Sequence, residues 1–165
     1  MADSSVEAAG GAAADASPSD SPRPATPTAF SEVVPVRYRD TDAQGHLYFA
    51  NYLVYADEVA GSYMQALGLS AMNPQQAPCF IFTVNLQCEY LGECKAFDTV
   101  RVCVGYSRLG RSSADIAFEI YDEDSAAVLA RGTITQVFTD KSTRLSTPIP
   151  AAFRAAIIAD TPNLA

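Results

Sequence analysis

From Phe80 to Tyr90 the side chains alternate, with Phe80, Phe82, Val84, Leu86, Cys88 and Tyr90 set against Ile81, Thr83, Asn85, Gln87 and Glu89. A period of two places a segment in a sheet with one face buried, so a long half-buried strand is expected here. The pattern returns in Val100, Val102, Val104 and Tyr106, in Ala114, Ile116, Phe118 and Ile120, and from Val128 to Thr139. Gly92 with Lys95 to Asp98, then Leu109-Gly110-Arg111, then Asp122 to Ser125 supply the turns between them, and Asp140 to Thr143 closes the sheet. A further short strand is expected over Val33 to Tyr38, and a short helix over Ala151 to Ala159, after Pro148 and Pro150.

Between the first two strands the period changes to 3.6: Tyr52, Tyr55, Ala56, Val59, Ala60, Tyr63, Met64 and Leu67 form one apolar stripe. The spacing predicts a helix from near Phe49 to Leu67, ended by Gly68 and half buried, with Asp57, Glu58, Ser62 and Gln65 on its solvated faces. A loop marked by Asn73-Pro74 and Pro78 follows. One helix with one strand before it and four after it predicts an α+β domain, an antiparallel five-stranded sheet wrapped around one long central helix. One helix covers only one face of such a sheet, so the other face or an edge strand needs shelter.

A hydrophobic content of 48 % in 165 residues supports one core. Met1 to Ala29 is mostly Ala, Ser, Pro, Asp, Gly and Thr, too poor in large apolar groups to offset the entropy of ordering. A disordered tail over 1–30 and a domain over 31–160 are therefore expected. Asp3, Glu7, Asp15 and Asp20 precede Arg23, which fits neither a secretory nor a transit peptide, and no apolar run is long enough to span a bilayer. The net charge of −8 argues against a nucleic-acid partner, whose binding relies on Lys and Arg. Cys79, Cys88, Cys94 and Cys103 form no C-x-x-C pair and only one histidine is present, so no metal is expected. Reduced thiols in a cytoplasmic protein are the expected state.

The chemistry concentrates before the helix, in Asp40-Thr41-Asp42-Ala43-Gln44-Gly45-His46 and the following Leu47-Tyr48-Phe49-Ala50-Asn51-Tyr52. This places a carboxylate on a strand-to-helix loop beside a helix start, whose unpaired amides and partial positive charge suit a developing oxyanion. Asp42 is positioned to attack a carbonyl or to activate a water beside it. Asp40 reads as structural, and Gly45 as the residue that permits the turn.

These residues resemble the signature of the hotdog-fold acyl-CoA thioesterases of the 4-hydroxybenzoyl-CoA thioesterase family, loosely D-x-D-x-x-G-[hydrophobic or H]-x-x-x-x-N-Y, here Asp40, Asp42, Gly45, His46, Asn51 and Tyr52. The resemblance runs from about Val34 to Ile149 and is specific only around Asp42. It implies hydrolysis of a thioester to free acid and CoA, with Asp42 as general base or nucleophile and the Phe49 N–H polarising the carbonyl. CoA is then part of the substrate and no cofactor is needed; acyl carrier protein is the other carrier such enzymes meet. The resemblance also implies a homodimer or dimer of dimers with sites at the subunit boundary. It sets His46 beside the site, and Gly45, Tyr48 and Asn51 next to substrate, Asn51 having a helix cap as its other reading. Leu47-Tyr48-Phe49 departs from relatives that continue Gly-His with Val-Asn-Asn.

Arg108, Arg111, Lys141 and Arg144 stand in two turn regions of an acidic chain, as CoA phosphate ligands or as ordinary surface charge. Asp57 and Glu58 read as solvated helix residues. No G-x-S-x-G elbow or phosphate loop is present. The alternatives are a hotdog hydratase or dehydratase, disfavoured because Asp42 and His46 enclose Ala43-Gln44-Gly45 and not Asn-Pro, and a non-catalytic acyl-CoA-binding module, disfavoured by the presence of Asp42.

Overall fold

In the computed structural model, residues 29–69, 73 and 75–164 are described. The expected tail therefore lies outside the described residues except for Ala29 and Phe30. Strand β1 (Phe30–Pro35) leads through a single 3-10 turn, Tyr38–Asp40, to helix α1 (Phe49–Ala66). Strands β2 (Phe80–Tyr90), β3 (Thr99–Leu109), β4 (Ser113–Asp122) and β5 (Val128–Thr139) follow, then helix α2 (Ala151–Asp160). All pairings are antiparallel, in the order β1-β3-β4-β5-β2.

Helix α1 lies across β1, β3 and β4. Its buried residues are the expected stripe from Tyr52 to Met64, and they meet the inward residues of the sheet, among them Val102, Val104, Ile116, Phe118 and Ile134. Burying each large side chain of this kind contributes about 1.5–3 kcal/mol. The helix ends where expected. Gly68, at φ +76°, donates to Gln65 O (2.9 Å) and Leu69 N–H to Met64 O (2.9 Å), a Schellman closure with Leu69 buried behind it. The short helix expected over Ala151 to Ala159 forms as α2 (Ala151–Asp160), and it seats Phe153 edge-on against Phe138 at 6.4 Å.

Three expectations need correction. The first strand starts at Phe30 and ends at Pro35, not over Val33 to Tyr38. Phe30 stacks on Tyr63 at 5.7 Å, which draws the strand back, and Pro35, without an N–H, suits the end of an edge strand. Second, the segment 91–98 is not a hairpin turn. It carries the chain from β2 at one edge to β3, past β5 and β4, a span of about 14 Å at strand spacing.

Third, β2 is exposed along most of its length, not half buried. It is an outer strand beyond the sheet region that α1 covers. A bulge between Thr83 and Asn85 also reverses its phase. Ile81 and Thr83 pair with Phe138 and Gln136 on the helix side, while beyond the bulge Leu86, Cys88 and Tyr90 pair with Ile134, Gly132 and Ala130 on that same side. The unbroken alternation read from Phe80 to Tyr90 is thus split between two faces. Phe82, Val84, Leu86, Tyr90 and Leu91 are each about half exposed, at 45 %, 58 %, 45 %, 45 % and 52 %.

Candidate active site

Thr41 and Leu47 pair as an isolated antiparallel bridge, and the chain between them doubles back through Asp42 to His46. Gly45 N–H donates to Asp42 O (3.0 Å), Asp42 N–H donates to His46 O (2.8 Å), and Gly45 adopts φ +82°. Glycine takes that dihedral without the strain a Cβ would bring. Within this turn Asp42 Oδ1 accepts from the amides of Gln44 (2.8 Å) and His46 (3.3 Å), while Oδ2 has no hydrogen-bond partner among the described residues. One carboxylate oxygen is pinned by backbone and the other is open.

Asp40 has the opposite arrangement. Its backbone oxygen accepts from Tyr48 N–H (3.0 Å) and Asn51 Nδ2 (2.8 Å), and its Oδ2 accepts from Tyr55 OH (2.7 Å). Asn51 is therefore a tie between α1 and the loop, not a cap on its own helix start. Burial first, then the Asp40 carboxylate it donates to, push the Tyr55 phenol above its ordinary pKa. Tyr55→Phe is expected to lower unfolding free energy by about 1–3 kcal/mol, because it leaves a half-buried carboxylate oxygen without its donor; urea unfolding measures it.

Helix α1 starts with no side-chain cap at Tyr48. Asn51 N–H donates to Tyr48 O (2.8 Å), and the amides of Phe49 and Ala50 find no acceptor among the described residues. Two donors at the positive end of a helix dipole are thus open to an incoming oxygen. Aromatic rings frame them: Tyr48 lies 4.6 Å from Phe49, and Tyr90 meets Phe49 and Tyr52 edge-on at 6.3 Å and 5.6 Å. Tyr90 OH donates to Phe49 O (3.0 Å), and burial is the main cause that pushes its pKa up to about 12.

His46 Nε2 lies 3.4 Å from Glu93 Oε1, and His46 bridges Lys95, so this histidine braces the turn against the 91–98 segment. Arg108 is engaged elsewhere: its Nε and Nη2 grip Asp115 at 2.5 Å and 2.9 Å, and this fork holds the Asp115 carboxyl below its ordinary pKa. Arg111 is exposed on the turn after β3. Arg144 stacks over Phe80 at 4.4 Å, with Lys141 at 5.8 Å from the same ring. Among the described residues no cluster of three or more His, Cys, Asp or Glu is arranged to hold a metal.

A cleft of about 450 Å³ opens between the second half of α1 and the start of β2. Asp57, Glu58, Gly61 and Ser62 line it from the helix, and Cys79, Thr83 and Gln136 are among those lining it from the sheet side. Asp42 does not line it. Gly61 lies roughly 18 Å along α1 from Phe49, at about 1.5 Å per residue. The carboxylate with its open amides and the cleft thus lie apart on the chain.

Residues 36–157 match the thioesterase-like superfamily, a span that includes the whole Asp42 turn and every strand but the first. The chain belongs to this superfamily. Slr0204 from Synechocystis, a 1,4-dihydroxy-2-naphthoyl-CoA thioesterase, superposes with a TM-score of 0.73 at 23 % identity, over 78 % of this chain and 94 % of that one. SAV2348 from Staphylococcus aureus, solved in complex with CoA, gives 0.75 at 20 % identity, over 82 % and 85 % of the two chains. At these identities the likeness establishes the hotdog fold. YsmA of Bacillus subtilis is 30 % identical over 93 residues, 56 % of this chain and 61 % of that protein, so the match spans about three fifths of the relative.

For a member of the thioesterase-like superfamily, the Asp42 turn was legible because its residues are contiguous. The cleft was not. Asp57 and Glu58, read as solvated helix residues, stand on its wall, and Gln136 comes from the last strand. One signal was available for Gln136: it interrupts the inward phase of β5 between Ile134 and Phe138, both fully buried.

Proposed function

We propose that the protein hydrolyses acyl-CoA thioesters to the free acid and CoA, at sites completed by two protomers. The observation that carries the reading is the pairing of Asp42 Oδ2, free of partners among the described residues, with the open amides of Phe49 and Ala50 on one short loop. The thioester oxygen accepts from those amides, and they stabilise the charge it gains as the acyl carbon becomes tetrahedral. Asp42 Oδ2 either takes the proton of an attacking water or attacks the carbon itself, giving an anhydride that water opens. Collapse of the tetrahedral adduct breaks the C–S bond and releases the CoA thiolate without needing a strong acid; in the nucleophilic route this collapse is the step that forms the anhydride, before water opens it. His46 positions the turn and touches no reacting atom.

The edge strand supports a dimer. An exposed apolar strand edge invites pairing, and a two-fold axis through β2 would continue the sheet into a second copy. The strand runs against α1, since Tyr90 at its end bonds Phe49 O while Phe80, Ile81 and Thr83 at its start line the cleft. Antiparallel β2 pairing therefore brings the Asp42 end of one protomer to the cleft of the other. The acyl group enters the cleft, and the thioester meets the neighbouring loop. Thiol release from aromatic, short, medium and long acyl-CoAs tests the activity, with turnover expected for acyl groups that fit the cleft. Absence of thiol release from the whole series would overturn it.

A further inference from the structure

Gln136 is 3 % exposed, and its Oε1 is buried with no hydrogen-bond partner among the described residues. Leaving a buried acceptor unpaired is costly, so such a group calls for a partner. Its surroundings make the use specific. Gln136 stands on the floor of the cleft, with cross-strand neighbours Thr83 on β2 and Ala114 on β4, and Gly61 of α1 lines the same cleft. Tyr106, Thr139 and Thr161 also carry unpaired buried hydroxyls among the described residues, and none of them lines the cleft.

We propose that Gln136 determines acyl-group specificity: its Oε1 accepts a hydrogen bond from a hydroxyl at the far end of the acyl group seated in the cleft. A carboxamide offers an acceptor beside a donor, which a hydroxyl matches because it both donates and accepts. A carboxylate cannot donate to Oε1, and it would enter a cleft whose lining includes Asp57 and Glu58 and no Lys or Arg. The preferred substrates are therefore neutral, hydroxyl-bearing acyl thioesters, whether the carbon skeleton is a ring or a chain. The inference rests on the hydrolase reading above and adds to it the residue that selects the acyl group.

The test compares kcat/KM for two matched pairs, a hydroxybenzoyl-CoA against benzoyl-CoA and a terminally hydroxylated octanoyl-CoA against octanoyl-CoA, in wild type and Gln136→Met. In wild type the hydroxylated member of at least one pair is favoured by about 10-fold or more, because its analogue leaves the site acceptor unpaired. In Gln136→Met that ratio falls toward one, and Tm stays level or rises, since methionine removes an unsatisfied group at nearly constant volume. A wild-type ratio near one in both pairs, a ratio that survives the substitution, or a Tm that drops by several degrees would each overturn the assignment of Gln136 while leaving hydrolysis intact. Absence of thiol release from all four substrates and from the wider acyl-CoA series would instead remove the hydrolase reading, and this inference with it.

Discussion

Asp42→Asn lowers kcat for acyl-CoA hydrolysis by about 10²-fold or more, with binding of a non-hydrolysable thioether analogue retained. Asparagine is the informative replacement because its Oδ1 still accepts from Gln44 N–H and His46 N–H, so the turn keeps the bonds that shape it. Only Oδ2 changes, into an NH₂ group that can neither take a proton from water nor attack a carbonyl carbon. Alanine would remove the chemistry and the turn together. Asp40→Asn should behave differently, since the Asp40 carboxylate is held by Tyr55 and its backbone oxygen ties down Tyr48 and Asn51. That change is read in stability more than in kcat. Unchanged turnover in Asp42→Asn would remove this carboxylate from the mechanism.

The two aspartates illustrate what a linear motif holds. Their spacing marks the loop, and the ties that Asp40 makes to Tyr48, Asn51 and Tyr55 agree with its reading as a structural residue. Helix α1 was legible to within a residue at its end because the tyrosine and alanine stripe keeps a 3.6 period up to a glycine placed for left-handed closure. β5 was legible from its flanking turns. The phase of β2 was not, because a bulge leaves an alternating pattern intact in sequence while turning half of it over in space. Strand order was equally hidden, since a period reports which face a residue takes and not which strand lies beside it. The cleft needs Glu58, Thr83 and Gln136 together, and only long-range pairing assembles them.

That division of the site leads to the second large effect. Gly61→Leu, which adds a side chain to the cleft wall, should be nearly inactive, as should Asp42→Asn, yet mixing the two after reversible dissociation should restore activity. In a two-fold dimer with shared sites, the heterodimer has one site built from the Asp42 of the Gly61→Leu protomer and the open cleft of the Asp42→Asn protomer. Its other site combines both lesions. Random reassociation of equal amounts makes half the dimers mixed, so about a quarter of all sites are intact, and about a quarter of wild-type thiol release is expected. If each protomer held its own complete site, every site in the mixture would keep one lesion and mixing would add nothing. Leu86→Lys supplies the control: a charge on the β2 edge should convert the dimer to a monomer by light scattering and abolish the recovery, because without the second copy the carboxylate and the cleft stay apart.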